Sequence, residues 1–574
     1  MNLSGPYPIE KTLRLFIFLT TFEMSVAGIF LFRARSLTAD AGYSLPRLAL
    51  LVVWLIGFVF CVSALASALK GSWLFQRIRI GLEILLRSET QFAHVWGWLI
   101  VLIVISWGAV ALFHFMPEFL EFLWSSLPVL MEQYLVVVFV FGVFAAQCVL
   151  LMWRLNPQGV VVLNGFGSTA ATAILLFLFA LFVYASTAIH LDLATRSRTT
   201  YFPELAQAFL QGRLDLPNPP ATKDLTLFAG KYYVSFPPLG ALLMLPSVAW
   251  RGVDSINTLL FNAIFAALGV MCTFLMLETI KKLGWSQLRW WENALLALFL
   301  GFGTAQYYLS TRLLVNLISH ILTTAFLALS LWLAFASVHR SPQIVIFLSG
   351  SALGLAMLAR PNVVFAWVVL VAIQLQGLRE SGAFTGRRFV RQVIALTIPI
   401  FVVMLGLFWY NLVRFGAPLD FGYTYMLLKD PSDLVMYGQF HPHFILENLY
   451  DNFFRLPYWE SACRMFAPNP QGTSIFLTSP VVLYLFLAWK KEIWVQGAWL
   501  SIGLIALCHA LYYNSGAIQF GYRFSLDFMP IVIALLAFGF RKKLSNLSIG
   551  LIVLSMLVNY IGVLWMTHRW CVNF

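Results

Sequence analysis

Apolar runs close to twenty residues long recur along almost the whole chain, separated by short polar stretches. They lie near 13–33, 46–69, 94–116, 128–153 and 168–189. They resume near 255–280, 290–309, 314–338, 342–359, 362–377, 392–413, 474–489, 493–513, 525–540 and 546–566. Each is long enough to cross a hydrocarbon core of about 30 Å as a helix. A β-barrel would need shorter segments alternating between apolar and polar residues. In lipid each backbone amide must be satisfied within its own segment, so continuous Leu, Phe, Val and Ala runs predict helices. The pattern therefore predicts an all-α polytopic membrane protein with about fifteen transmembrane helices.

Composition strengthens that reading. Of 574 residues, 60% are hydrophobic and only 11% charged, with a mean hydropathy of +0.83. Soluble domains carry about 25% charged residues, so a water-soluble fold is excluded. The formal charge of +13 follows from basic residues in loops on one side of a membrane, the positive-inside pattern. No soluble basic domain exists to bind nucleic acid. With the N-terminus inside, the inner loops hold Lys70, Arg77, Arg79 and Arg87. They also hold Lys281, Lys282 and Arg289, then Arg379, Arg387, Arg388 and Arg391, and finally Lys490, Lys491, Arg541, Lys542 and Lys543. An outer loop has Glu118 and Glu121 and no base, whereas Arg33, Arg35 and Arg47 flank one outer segment against the rule. The first span is expected to serve as an uncleaved targeting signal. This orientation suits the inner (plasma) membrane of a bacterium, with the working face outward.

Two long segments fall outside, near 190–254 and 414–474, too polar for lipid and too long for simple turns. Within the first, Tyr201–Leu210 has apolar residues at helical spacing and predicts a juxtamembrane amphipathic helix. The stretch Phe236–Trp250 is apolar, short and bounded by proline, which predicts an interfacial or re-entrant helix. A Gly/Asn/Pro-rich stretch at 155–167 separates an N-terminal helical module, 1–155, from the main body, 156–574. Cys61, Cys148, Cys272 and Cys508 lie in apolar runs and read as small core residues, while Cys463 and Cys571 leave a disulfide open.

Ionisable residues beside membrane helices are expensive and so point to function. Arg312, His320, Arg360, Arg523 and Asp527 sit at or inside helix ends on the outer side. Guanidinium groups beside carboxylates suit a phosphate-bearing ligand, because arginine offers a fixed two-pronged fork. The bland alternatives are snorkelling anchors and local ion pairs, such as Arg523 with Asp527 four residues on. His320 is equally readable as a histidine hydrogen-bonded to a neighbouring helix. His441-Pro-His443 is too short a set to make a metal site, and Glu23 reads as paired within the N-terminal module.

The first long outer segment reads Phe202-Pro-Glu-Leu-Ala, then Gly230-Lys231-Tyr232-Tyr233, then Phe236-Pro-Pro-Leu. Further on come Gly354-Leu-Ala-Met-Leu-Ala-Arg360-Pro361, Asn411-Leu-Val-Arg414-Phe-Gly416 and Gln519-Phe-Gly-Tyr522-Arg523-Phe-Ser-Leu-Asp527. In this order the segments resemble the GT-C superfamily of membrane glycosyltransferases, which includes protein O-mannosyltransferases, lipid A aminoarabinose transferases and family-39-like transferases. The resemblance covers about residues 165–540. It implies a GT-C-like body with juxtamembrane helices on its outer face. It also implies transfer of a sugar, with anomeric inversion, from a polyprenyl-phosphate-linked donor to a lipid, glycan or protein acceptor at the outer face.

Such chemistry needs a carboxylate to take the acceptor proton and cations to hold the departing phosphate. The resemblance would put the base early in the first outer segment, but Arg198-Thr199 stands where an acidic pair is usual. Asp192 is therefore the first candidate for the base and Asp224 the second. Lys231, Arg360 and Arg523 are candidates for the phosphate, and Glu204, Tyr232, Tyr233, His320, Arg414, Tyr522 and Asp527 for supporting roles. No metal ligands are assigned, and a divalent metal stays open as a cofactor. Two other functions stay open: a transporter or flippase of a lipid-linked or polar solute, and a non-catalytic membrane scaffold. The first predicts polar residues at mid-membrane, whereas stretches such as Ala325–Phe335 are almost wholly apolar.

Overall fold

The computed structural model describes residues 166–190, 201–312, 314–338, 343–427, 432–460, 465–469, 471–516 and 519–568, together with Thr21, Val59, Val62 and Ser63. The four spans expected before residue 155, Glu23, Asp192, Arg198-Thr199, Cys463 and Cys571 lie outside the described residues. The chain divides into two compact units, Met1–Thr172 and Ala173–Phe574. The second unit, with the helix that enters it, holds almost all of the described residues.

Helices dominate this unit. The first segments are α1 (Phe166–His190), α2 (Phe202–Leu210), β1 (Leu225–Phe228), β2 (Lys231–Val234), α3 (Leu239–Arg251), α4 (Thr258–Lys282), α5 (Trp290–Phe302) and α6 (Gln306–Ser310). The middle holds α7 (Val315–Ser337), α8 (Gln343–Ala359), α9 (Trp367–Glu380) and α10 (Gly386–Phe415). The last segments are α11 (Ser432–Tyr437), α12 (Ile445–Phe453), β3 (Tyr458–Glu460), β4 (Met465–Ala467), α13 (Ile475–Thr478), α14 (Ile493–Leu511), α15 (Met529–Phe540) and α16 (Asn546–His568). Among the described residues seven helical segments are long and apolar enough to cross a membrane, so this is a membrane protein. Four predicted spans are shorter or broken: α8 and α15 fall below span length, and the run at 290–309 divides into α5 and α6. The apolar run from 475 passes from α13 into a 3₁₀ stretch at Pro480–Ala488, because Pro480 cannot continue an α-helical ladder.

The expectation of a purely helical chain needs one correction. Two antiparallel hairpins, β1–β2 and β3–β4, stand in the long loops. The first turns at Ala229-Gly230, both at positive φ, the geometry that closes a two-residue hairpin. The apolar stretch Phe236–Trp250 does fold as the short helix α3. At 1.5 Å per residue it reaches roughly 20 Å, too little to span.

α7 is the hub, with 78% of its apolar window buried, and it packs between α4 and α8. By contrast α10 is only 28% buried and turns Ile394, Ile398, Phe401, Val402 and Leu405 outward, as a lipid-facing helix does. Polar side chains join the helices where they approach: the Tyr184 hydroxyl donates to the Gly301 carbonyl at 3.0 Å and accepts from Gln306 Nε2 at 3.2 Å. Such bonds hold helices together where apolar surface gives no preference for protein over lipid.

The basic residues of the short loops, with Lys281, Lys282, Arg379 and Arg541 among them, lie at one end of the bundle. There Trp285 Nε1 donates to Glu380 at 2.9 Å, Arg541 pairs with Glu492 at 3.1 Å, and Glu292 accepts from the Leu544 amide at 2.8 Å. The long loops occupy the other end, where α2, α3 and the first hairpin form a small core with Val315, Ile318 and Leu322 at the start of α7.

Helix α8 meets α10 through Gly350 and Gly354, a pair of small residues four apart on one face. A Cβ on Gly350 would collide with the Leu396 carbonyl oxygen, and one on Gly354 would meet Val403 at 3.1 Å. Gly350→Val is therefore expected to cost about 1–3 kcal/mol through overpacking, read as a lowered thermal midpoint in detergent. Gly503→Val, where nothing lies within 4 Å, serves as the control. Equal midpoints for the two variants would refute the close α8–α10 contact.

Candidate functional site

Asp527 ends a short 3₁₀ turn, Arg523–Asp527, just before α15, and it is fully buried. A buried carboxylate persists only when several donors converge on it. Four do so here, from three different parts of the chain. His320 Nδ1, on the second turn of α7, lies 3.1 Å from Oδ1. Arg360 Nε, at the junction after α8, lies 2.8 Å from Oδ2, and Asn362 Nδ2 donates to the same oxygen at 2.7 Å. His509 Nε2, in the last turn of α14, lies 2.9 Å from Oδ2. Pro361 directs this convergence: a residue before proline is kept extended, and Arg360 has φ −147° and ψ 107°. That extension ends α8 and turns the guanidinium toward Asp527.

The hydrogen-bond chemistry fixes the tautomers. An ionised carboxylate accepts only, so His320 carries its proton on Nδ1 and His509 on Nε2. Arg360 already balances the charge of Asp527, and a further imidazolium would stand uncompensated in a buried site. Both imidazoles are therefore neutral, leaving a lone pair on His320 Nε2 and on His509 Nδ1. Neither nitrogen has a hydrogen-bond partner among the described residues.

Arg360 is anchored and yet available. Its Nε is held by Asp527, its side chain is 18% exposed, and its terminal nitrogens make no hydrogen bond among the described residues. The carboxylate thus sets the plane of the guanidinium while leaving the two-pronged edge for an anion. Arg523 lies over the ring of Phe524 at 5.3 Å, and Arg360 lies over the same ring at 5.0 Å. One buried aromatic ring therefore brings two guanidinium groups together. Tyrosines surround them: Tyr423 and Tyr513 lie within electrostatic reach of Arg360 and Arg523 respectively. Burial pushes the Tyr423 hydroxyl up to about 12 and raises that of Tyr513, so both stay protonated donors near neutral pH.

Asp224 approaches this group from the first long loop, within electrostatic reach of Arg523 and Tyr513. Its backbone is left-handed, φ 63°, which aspartate tolerates better than most residues. Beside it, Tyr201 is fully buried and also left-handed, φ 52°, a strained state for an aromatic residue. The Tyr201 hydroxyl donates to the Lys223 carbonyl at 2.6 Å, so the strained tyrosine pins the peptide next to Asp224. Desolvation, with Asp224 and then Glu204 nearby, pushes the Tyr201 hydroxyl up to about 12.

The other residues singled out from the sequence divide clearly. Arg414 is structural: Nη1 donates to the Val234 carbonyl at 2.7 Å, Nη2 to Asn411 at 2.8 Å and Nε to the Tyr410 carbonyl at 3.3 Å. It ties the first hairpin to α10, with each of its three nitrogens engaged inside the protein. Lys231 is exposed at the hairpin tip, where its neighbour in charge is Asp215, and no described interaction joins it to Arg360 or Arg523. Tyr232 and Tyr233 belong to β2, with the Tyr233 ring edge-on to Phe415 at 5.4 Å. Tyr522 is buried and lies against Phe524 and His509, at the Asp527 cluster. The cation that the structure sets against Asp527 is Arg360, rather than the Arg523 expected from four-residue spacing.

Glu204 lies in the first turn of α2, where burial raises its carboxyl above the ordinary range and Asp254 adds to the effect. Asp215 is held below its usual range by Arg213, whose Nη2 lies 2.7 Å away. His443 stacks on Tyr437 at 4.1 Å. Among the described residues no group of three or more His, Cys, Asp or Glu side chains is set to hold a metal ion. The positive charge these residues offer to an anion is that of the guanidinium groups. Asn362 and His509 did not emerge from the sequence. His509 carried a usable signal, an ionisable residue at the end of an apolar run, whereas Asn362 carried none. No protein-family model matches this chain, and no curated protein matches its sequence.

Removing the charge of Asp527 would strand Arg360. Asp527→Asn is expected to cost about 3–5 kcal/mol, read as a fall in the thermal midpoint. The double replacement Asp527→Leu with Arg360→Met should recover part of that loss; no recovery would mean that the pair is not the source of the cost. Glu204 gives a test in pH. Its folded carboxyl holds the proton more tightly than the unfolded one, so stability declines as pH rises from the ordinary glutamate range through the raised folded value. Glu204→Gln should flatten that decline, and an unchanged slope would assign it to another group.

Proposed function

We propose that this chain is a GT-C-like glycosyltransferase of the bacterial inner membrane, its body part of an assembly of about fifteen spans, with the loop-bearing end outward. On this reading it moves a sugar from a polyprenyl-phosphate donor to a hydroxyl of a lipid, glycan or protein acceptor. The observation that carries the proposal is the pairing of a two-guanidinium anion cradle, Arg360 with Arg523, with a loop carboxylate, Asp224, within electrostatic reach of it. Buried, pre-oriented cations are what a departing phosphate needs, and a pinned carboxylate within reach of them is what an attacking hydroxyl needs.

The steps follow from those positions. Asp224 accepts the proton of the acceptor hydroxyl as its oxygen attacks the anomeric carbon from the face opposite the phosphate. The bond between the anomeric carbon and the phosphate oxygen breaks, and its electron pair leaves on the phosphate. Arg360 and Arg523 stabilise that charge through their guanidinium edges. Asp527, with His320, Asn362 and His509 around it, positions Arg360. The gathering of basic residues at the opposite end, with Lys281, Lys282, Arg379 and Arg541 among them, supports an outward-facing site by the positive-inside rule. A transporter would instead display polar groups along a path through the bundle, and apart from Ser330 the buried residues of α7 from Ala325 to Phe335, like those of α15, are apolar.

The test is sugar transfer by the purified chain in lipid, supplied with polyprenyl-phosphate sugars and assayed on extracted acceptors. Asp224→Asn is expected to lower the transfer rate by about 10²–10⁴-fold with donor binding retained, and Arg360→Ala to weaken donor binding. If Asp192→Asn instead abolishes transfer while Asp224→Asn is active, the base is Asp192. Failure of every donor, together with an unaltered sugar profile in a deletion strain, would overturn the proposal. Accessibility labelling that put Asp224 and Arg455 in the cytosol would do the same.

A further inference from the structure

Helix α12 (Ile445–Phe453) is amphipathic in the sense opposite to that of a helix on a water-facing surface. Its polar side chains Asn448, Asp451 and Asn452 are buried, at 4%, 0% and 5% exposure. On the opposite face Leu446 is 82% exposed, Tyr450 50%, and Phe454 just beyond the helix 64%, with the exposed carboxylate of Glu447 at the edge of that face. An ordinary surface helix in water turns its apolar stripe toward the core. Here the inward face is the polar one, and the outward face needs an apolar medium.

The helix is fixed at a definite level. Asn448 Nδ2 donates to the Ala510 carbonyl at 3.0 Å and to the Tyr512 carbonyl at 2.7 Å, so it caps the final turn of the membrane-spanning α14. Asp451 pairs with Arg455 on the same inward face, and the Phe453 ring stacks on Phe476 of α13 at 5.5 Å. α12 is therefore bolted to the ends of α14 and α13, where a span leaves the hydrocarbon. The adjoining strand β3 adds Trp459, 55% exposed; tryptophan and tyrosine are the residues that favour the headgroup boundary.

We infer that α12 lies in the interface of the bilayer leaflet at the loop-bearing end, with Leu446, Tyr450 and Phe454 immersed in lipid and the polar face turned onto the protein. The partner is a lipid surface. A second copy or another protein is disfavoured because the exposed face is level with the end of a span, where lipid is already present. An interfacial helix of this kind buries its apolar face about 5–10 Å into the boundary. The inference concerns membrane seating alone and stands whether or not the chain transfers sugars.

The test uses the unsubstituted full chain in liposomes, photolabelled with a lipid-soluble aryl diazirine and mapped by peptide mass spectrometry. Label is expected on Leu446, Tyr450 and Phe454 at a level comparable to that on Val402 and Leu405 of α10. Relative to the hairpin Leu225–Val234, an enrichment of roughly tenfold is expected for side chains immersed in lipid. A parallel sample is footprinted with hydroxyl radicals. Strong footprinting of α12 without diazirine label would show a water-facing helix and overturn the inference. Weak modification by both reagents would show a face covered by protein and would overturn it equally.

Discussion

The architecture of the second unit turns on a single buried carboxylate. Asp527 has no exposure, and in a low-dielectric setting such a charge persists only if its donors are already in place. Those donors come from α7, from the junction after α8, and from α14, three elements far apart in sequence. Satisfying Asp527 therefore fixes the relative heights of these helices at the loop-bearing end. The apolar packing of α15 and α7 alone would tolerate sliding, because lipid tails and leucine side chains are nearly equivalent neighbours. Polar ties at the other end, such as Trp285 with Glu380, perform the same task for α9 and the turn after α4.

The same carboxylate explains how a guanidinium becomes a useful binding group at a membrane boundary. A free arginine there would snorkel toward headgroups and lose its orientation. Held at Nε by Asp527 and flanked by Phe524, Arg360 has few alternatives and presents one edge. Strain on the facing loop acts in a similar way. Tyr201 occupies a backbone region disfavoured for aromatic residues, and its burial and its bond to the Lys223 carbonyl hold it there. A rigid donor set and a pinned carboxylate that acts on Arg523 are the two elements on which the proposed site rests.

Much of this was legible in the sequence, for physical reasons that differ from element to element. The apolar runs after residue 165 all contain helix, because the run length and the absence of charge leave no alternative in lipid. The hairpins were not legible, since three- and four-residue strands in polar loops produce no alternation to detect. His320, Arg360 and Asp527 were each marked by the cost of an ionisable group near a span. Their meeting was not, because convergence depends on how α7, α8 and the turn before α15 pack, which no local spacing encodes. Arg414 shows the limit of the rule: it satisfied the same criterion and proved to be a strut between α10 and the first hairpin.

The balance of charge within the site gives the proposed chemistry a further consistency. Arg360 and Arg523 supply two positive charges, Asp527 and Asp224 two negative ones, and the two imidazoles none, so the site by itself is close to neutral. A neutral, largely buried site costs less to keep folded than a bare cationic one. On the proposed reading, a proton taken by Asp224 from an acceptor hydroxyl removes one negative charge and leaves the remaining groups with a net positive charge. That change comes as the breaking glycosidic bond places additional negative charge on the phosphate. On that reading proton removal and leaving-group stabilisation are coupled through the field of one small cluster. On the proposed reading Asp224, whose charge acts on Arg523, is the carboxylate that provides that coupling.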